Sequence, residues 1–256
     1  MRSALAFISL YTAICWAGCS LSANGPGTSK PITHELFTAI LRKHVDTEGM
    51  VNYKALAADS AALNRYLALL EKHHPNDAHW TRDEQLAYWI NAYNAFTLRL
   101  IVRNYPVASI KDLGGAIYRV NTPWDIKFIA IEGERYHLNN IEHSIIRKQW
   151  NEPRIHFALV CAARSCPKLR NEAYEAATLE AQLHDQTVHF FNSPLRNQVH
   201  PDTPKVSKLL SWYGGDFKGA APTLIEYINR YSKVKIKSSA KLAYLEYDWS
   251  LNEQRK

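Results

Sequence analysis

The chain has 256 residues, of which 46% are hydrophobic, 11% aromatic and 21% charged, and its formal net charge is +7. This composition suits a globular fold with a sizeable core and excludes a long disordered chain or a multi-span membrane protein. The 10 glycines and 11 prolines carry no period, which excludes collagen-like and linker-like readings, and 4 cysteines are too few for a disulfide scaffold.

The first residues read as an export signal. Arg2 supplies a positive start, Ala4 to Ala17 is almost uncharged and apolar, and Ala17-Gly18-Cys19-Ser20 follows. The stretch is short for a membrane span, which needs about 20 apolar residues. Its Ala-Gly-Cys end resembles a lipobox, with Trp16 where a leucine is usual, and makes Cys19 the expected lipidated residue. The expected organisation is a signal over 1–18, a small polar tether over 19–30 and one domain over 31–256. The expected location is the periplasm, lipid-anchored to the bacterial outer membrane, with a soluble periplasmic protein as the alternative. Removing Arg2 with the signal takes the charge from +7 to +6. That charge is diffuse, so no nucleic-acid partner is expected and the membrane is met only through the anchor. An envelope protein or peptide is the expected partner.

After the tether, apolar spacing predicts helices over Pro31–Asp46, with Thr33 as cap, and over Ser60–Glu71. Thr81 and Glu84 form a capping box for a helix over Thr81–Tyr105, which is apolar on most sides and stopped by Pro106. Glu132-Gly133-Glu134 predicts a hairpin between Lys127–Ile131 and Arg135–Leu138. Asn139–Trp150 reads as helix and Arg154–Val160 as a β-rich run. Tyr174–Phe191, Val206–Tyr213 and Pro222–Tyr231 read as helices, Lys233–Lys241 as a solvated edge strand and Lys241–Tyr247 as a last strand. Helices and strands mix without βαβ alternation, so the expected class is α+β, a single domain with an antiparallel sheet packed by helices.

Three polar groups stand among apolar neighbours. Asn91 and Asn94 share a face of the long helix beside Trp89, where asparagine is a poor helix former and a buried amide needs partners. They either anchor nearby loops or form a site wall. Glu142 and His143 diverge by about 100° on a helix, so each needs its own partner. His156 precedes Cys161 and Cys166. A cysteine before a Pro167-led helical turn would be a good nucleophile with a histidine base. The two thiols equally suit a loop-closing disulfide, a reduced buried pair or, with His143 and His156, a metal site whose C-x4-C spacing is loose for zinc. No metal and no cofactor are expected.

Several separated motifs form a resemblance: WINAYNAFTLRLIVRNYP, SIKDL, TPWD, LNNIEHSIIR, PRIHFALVCAARSCPKL, LSWYGGDF and YLEYDWSLN. Together, over roughly Leu36 to Asn252, they resemble the bacterial and plant family catalogued as domain of unknown function 547. The resemblance implies a single domain and no established activity. A more distant analogy is to the papain and transglutaminase-like arrangement of a helix cysteine, a strand histidine and an orienting polar residue. There Asn91 or Asn94 stands where the cysteine would be, His156 matches the histidine, and Asp248 or Asn252 matches the orienting group.

Two functions follow. One is a cell-envelope cysteine-dependent hydrolase or acyl transferase acting on peptide or isopeptide bonds. Cys166 or Cys161 would be its nucleophile and His156 its base, with His143, Glu142 or Asn91 orienting the imidazole or holding an oxyanion. The alternative is a non-catalytic envelope lipoprotein that binds a protein or ligand in a groove of Trp124, Trp212, Tyr213 and Trp249. Asn94, Trp89 and Asp248 are further candidate binding residues. A thiol-redox role for Cys161 and Cys166 is a weaker third reading, since the spacing is not C-x-x-C.

Overall fold

Helices build most of the fold, and each buries the stripe its sequence marks. In the computed structural model, which describes residues 27–114 and 122–254, α1 (Glu35–His44) buries Phe37, Ile40 and Leu41. Glu35 opens this helix and Arg42, Lys43 and His44 close it, which complements the helix dipole. Its cap is His34 without a side-chain bond, not Thr33. The short helix α2 (Tyr53–Ala58), capped by the Asn52 side chain, is not anticipated by the sequence reading. Then α3 (Ala61–Glu71) buries Leu63, Tyr66, Leu67 and Leu70.

The central element is α4 (Arg82–Asn104), and both halves of the Thr81–Glu84 capping box are present. Its buried residues run almost unbroken from Gln85 to Leu98 and include both asparagines. Trp89 is fully buried, packed between Tyr88, His74 and Tyr136. The expected signal over 1–18, Cys19 and most of the expected tether lie outside the described residues. The tether's described end is docked. The Ser29 carbonyl accepts from Asn76 Nδ2 and Trp80 Nε1, each at 2.9 Å.

The hairpin is as read: β1 (Ile129–Ile131) pairs antiparallel with β2 (Glu134–Tyr136). Its turn uses Glu132 and Gly133 at φ 45° and 87°, the left-handed geometry of tight hairpins. Asn140–Ile146 is helical as expected, but π-helical, and runs into α5 (Arg147–Gln149). Then come α6 (Leu179–Asn192), β3 (Lys205–Val206), α7 (Leu209–Trp212), α8 (Gly214–Lys218), α9 (Leu224–Tyr231) and β4 (Ala243–Tyr244). With its small antiparallel pair among many helices the chain is α+β.

Three strand expectations are corrected. Arg154–Val160 is no strand: Pro153–Phe157 forms a 3-10 turn, and Ala158 and Val160 bond to a side chain rather than to a neighbouring strand. The strand histidine of the papain-like analogy is therefore missing. Lys233–Lys241 is coil, held by Asn229, whose side chain bonds both the N–H and the carbonyl of Ile236. The last strand shrinks to Ala243–Tyr244, which pairs parallel with β3.

Among the described residues two apolar clusters fill the interior. The larger surrounds α4, and the smaller joins Phe157, Phe190, Phe191, Phe217, Tyr227 and Ile228. The C-terminal segment ties distant parts together. Asn252 accepts from Tyr53 Oη at 2.7 Å, Leu251 bridges Ala163, and the N–H groups of Arg164 and Ser165 donate to Ser250 and Asp248. Among the described residues no helix is long and apolar enough to cross a membrane.

Candidate functional site

A cleft of about 230 Å³ opens where the π-helical segment, the 3-10 turn, α7 and the C-terminal segment meet. Each contributes a side chain for a local reason. Tyr93 comes from the middle of α4. Trp124 rides the 3-10 turn Pro123–Asp125, whose Asp125 carboxylate accepts from Thr122 Oγ1 at 2.6 Å and Asn139 Nδ2 at 2.7 Å. These donors, Thr122 foremost, hold the Asp125 carboxyl below its usual range. Glu142 lies on the π-helical segment, a geometry that is rare and concentrated at functional sites. Trp212 ends α7, Tyr213 follows it, and Tyr247 and Trp249 arrive on the C-terminal segment.

The aromatic wall is continuous. Trp212 and Trp249 stack with centroids 5.8 Å apart, Tyr247 lies 4.6 Å from Trp249, and Trp124 meets Trp249 edge-on at 5.8 Å. Trp212 keeps 49% exposure, unusual for an indole held by two neighbours. All four residues of the expected groove, Trp124, Trp212, Tyr213 and Trp249, line this cleft.

The polar side is built around His156 and Glu142. His156 is 2% exposed, and its Nε2 lies 2.7 Å from Asp216 Oδ2. Burial pulls the imidazole below its usual pKa, and the Asp216 bond only partly opposes this, so the ring is neutral at pH 7. Tyr213 stacks on it at 3.8 Å. Arg147 grips both oxygens of Asp216, Nε to Oδ2 at 2.7 Å and Nη2 to Oδ1 at 2.8 Å. That guanidinium, with help from His156, holds the Asp216 carboxyl down at about 2. Glu142, 6% exposed, faces the phenols of Tyr93 and Tyr213. Burial raises both phenols and the carboxylate raises them further, so both stay protonated as donors.

The two sulfurs are bonded to each other as a Cys161–Cys166 disulfide on the cleft wall. Of the four sequence alternatives this is the loop-closing one. Tyr247 Oη sits 3.4 Å from Cys161 Sγ and 3.3 Å from Cys166 Sγ. Ala162 holds φ at 61°, a left-handed conformation that costs an alanine about 1 kcal/mol or more. No helix follows Pro167, so the expected dipole at Cys166 is absent.

Other expected site residues lie elsewhere. Asn91 donates to the Tyr174 carbonyl at 2.8 Å and accepts from the Tyr174 N–H at 2.9 Å. Asn94 does the same to Ala158 O at 3.0 Å and Val160 N at 2.9 Å. Both amides anchor loops, and neither lines the cleft. Trp89 is sealed in the core. His143 points outward to Arg147 at 3.0 Å, with Glu142 Oε1 3.9 Å away, so the two neighbours do not share a close bond. Asp248 faces Arg164 at 3.6 Å and does not line the cleft. Among the described residues no group of three or more His, Cys, Asp or Glu is placed to hold a metal ion. Sequence reasoning does not single out Tyr93, Arg147, Asp216 or Tyr247, whose only traces are their places in the WINAYNAF, LNNIEHSIIR, LSWYGGDF and YLEYDWSLN motifs.

A larger surface hollow of about 750 Å³ lies elsewhere, between α1 and α6. Three of its charges are paired with each other: Arg170 bonds Glu172 at 2.7 Å and Asp185 at 2.5 Å. The smaller aromatic cleft is the better candidate because its polar groups converge on apolar walls.

Residues 78–191 match the family model described as "Protein of unknown function, DUF547". The matched span is narrower than the Leu36–Asn252 suggested by the motifs. It holds Tyr93, Trp124, Glu142, His156 and both cysteines, whereas Trp212, Tyr213, Asp216, Tyr247 and Trp249 lie beyond it. No curated protein and no solved structure matches the chain.

Proposed function

We propose that this chain is a non-catalytic envelope protein that binds a small ligand, or the end of a larger one, in the cleft of Trp124, Trp212, Tyr213 and Trp249. The observation that carries the reading is the convergence of these rings from three separate segments on one cleft, with Trp212 left 49% exposed. Aromatic anchors of this kind, gathered in a concave site, dominate binding sites. Against the thiol hydrolase stand the bonded sulfurs and the engagement of Asn91 with Tyr174. The layout of residues 1–20 supports export and a lipid anchor at Cys19.

The test uses the disulfide-intact protein. Tryptophan fluorescence is titrated with a panel of amino acids, neutral saccharides and organic cations. At least one class is expected to quench wild type and to lose that effect in Trp212→Ala. The reading fails if no class binds while reduced protein cleaves an ester probe and Cys166→Ser does not. For the anchor, Cys19→Ser is expected to move the protein from the membrane to the soluble fraction, and unchanged fractionation overturns it.

A further inference from the structure

The cleft has a charge as well as a shape. Its described lining includes no lysine or arginine, and Glu142 is its one carboxylate. The nearest cation is engaged elsewhere: Arg147 is gripped by both oxygens of Asp216, which also bonds the buried His156 ring at 2.7 Å. Glu142 is therefore the charged group that the described lining itself presents to a ligand, while His143, 3.9 Å away, and Lys111 stand outside the lining. The phenols of Tyr93 and Tyr213 face its carboxylate as hydrogen-bond donors.

The rings supply the second half of the recognition. Indole and phenol faces are negative, and they attract cations within about 6 Å of the centroid. The fold already uses these rings that way from outside the cleft. Lys111 Nζ stands 5.1 Å from the Trp249 centroid, and the Arg147 guanidinium 5.2 Å from Tyr213. At about 230 Å³ the cleft is below the roughly 300–1,000 Å³ of drug-sized pockets, so it suits a compact head group.

We infer that the cleft binds an organic ammonium ion, a primary or methylated amine head, seated between Trp124, Trp212 and Trp249 with its charge directed to Glu142. The inference rests on the cleft-binding reading above and adds the ligand's charge and chemistry to it. A neutral sugar, the other usual guest of aromatic walls, would need several polar partners at spaced positions. Here Asn139 is already engaged by Asp125 and His156 by Asp216.

The experiment titrates the full disulfide-intact protein with three probes: choline, its uncharged isostere 3,3-dimethylbutan-1-ol, and a neutral disaccharide. Tryptophan fluorescence and calorimetry are the readouts. Choline is expected to bind about tenfold or more tightly than the isostere, since a desolvated cation–π contact and a carboxylate both favour charge. Glu142→Gln is expected to erase that preference while leaving the isostere's affinity unchanged. Trp212→Ala, at an exposed position, is expected to weaken both probes. Equal affinity for choline and the isostere, or binding of the disaccharide alone, overturns the ammonium assignment and leaves the cleft reading standing. Binding of none of the three overturns the ammonium assignment, and the wider panel then decides the cleft reading. If Glu142→Gln does not fold, the choline-to-isostere ratio in wild type and Trp212→Ala decides the outcome.

Discussion

Replacing Asn94 by alanine tests whether the cleft floor hangs from α4. The Asn94 amide makes two bonds to one loop, at 3.0 Å to Ala158 O and 2.9 Å from Val160 N. Ala158 is 1% exposed and Val160 3%, so water does not readily replace the lost partner. Each buried orphan costs about 1–3 kcal/mol, which places the loss near 4 kcal/mol for the pair. Leu159 lies between the two anchored residues and lines the cleft, so the loop that loosens is the one beneath the cleft. Urea unfolding followed by tryptophan fluorescence measures the loss, expected as a midpoint fall of more than about 1 M. Asn94→Asp keeps the acceptor for Val160 N–H but turns a carboxylate oxygen toward the Ala158 carbonyl, so it is expected to be no better. Asn64→Ala, on the exposed side of α3, is the control and is expected to change stability by less than about 0.5 kcal/mol. A loss below about 1 kcal/mol for Asn94→Ala would refute the reasoning.

Lowering the pH from 7 to 5 is expected to cost about 2 kcal/mol through His34, which burial holds at about 4 against 6.5 in the unfolded chain. The unfolded state binds the proton first, so this stability is full above pH 6.5 and is lost as pH falls toward 4. His34→Gln should flatten that part of a stability–pH curve, and an unchanged slope would exclude the assignment. Replacing both Cys161 and Cys166 by serine removes a short crosslink, of sequence separation 5, and is expected to cost about 2 kcal/mol by chain entropy. Calorimetry of the double variant checks this, and no change in Tm would contradict it. At Ala162, held at φ 61°, glycine is expected to cost at most about 0.5 kcal/mol and valine at least about 2. The reverse order in thermal melts would show that the left-handed backbone is not a constraint there.

The sequence is most legible where local signals agree. The Thr81–Glu84 box, the long apolar run after it and the stop at Pro106 all point to one helix, and α4 follows them. The Glu132-Gly133 turn likewise marks its hairpin. Arg154–Val160 misleads because alternating β-formers look like a strand when no partner is visible. The partner is the Asn94 side chain, 64 and 66 residues away, together with Gln186, which donates to Phe157 O at 3.0 Å. The aromatic groove is legible because exposed aromatics in polar motifs are conspicuous. Its polar side is not, since Asp216 meets His156 across 60 residues and gives no local pattern. Asn91 and Asn94 are read correctly as needing partners, and only the fold decides that those partners are backbone.

The C-terminal segment also fixes when the cleft comes into being. Tyr53 meets Asn252 across 199 residues, and Gln254 reaches Met50 across 204. Closing a loop of that length costs about 3 kcal/mol more than closing one of 10 residues, and such contacts form late and slowly. A chain synthesised as far as residue 191 holds Tyr93, Glu142 and His156 but lacks Trp212, Tyr247 and Trp249. The aromatic wall of the cleft is therefore completed only once the C-terminal segment has returned to the rest of the fold, so ligand binding, on the proposed reading of the cleft, would report completion of the native topology.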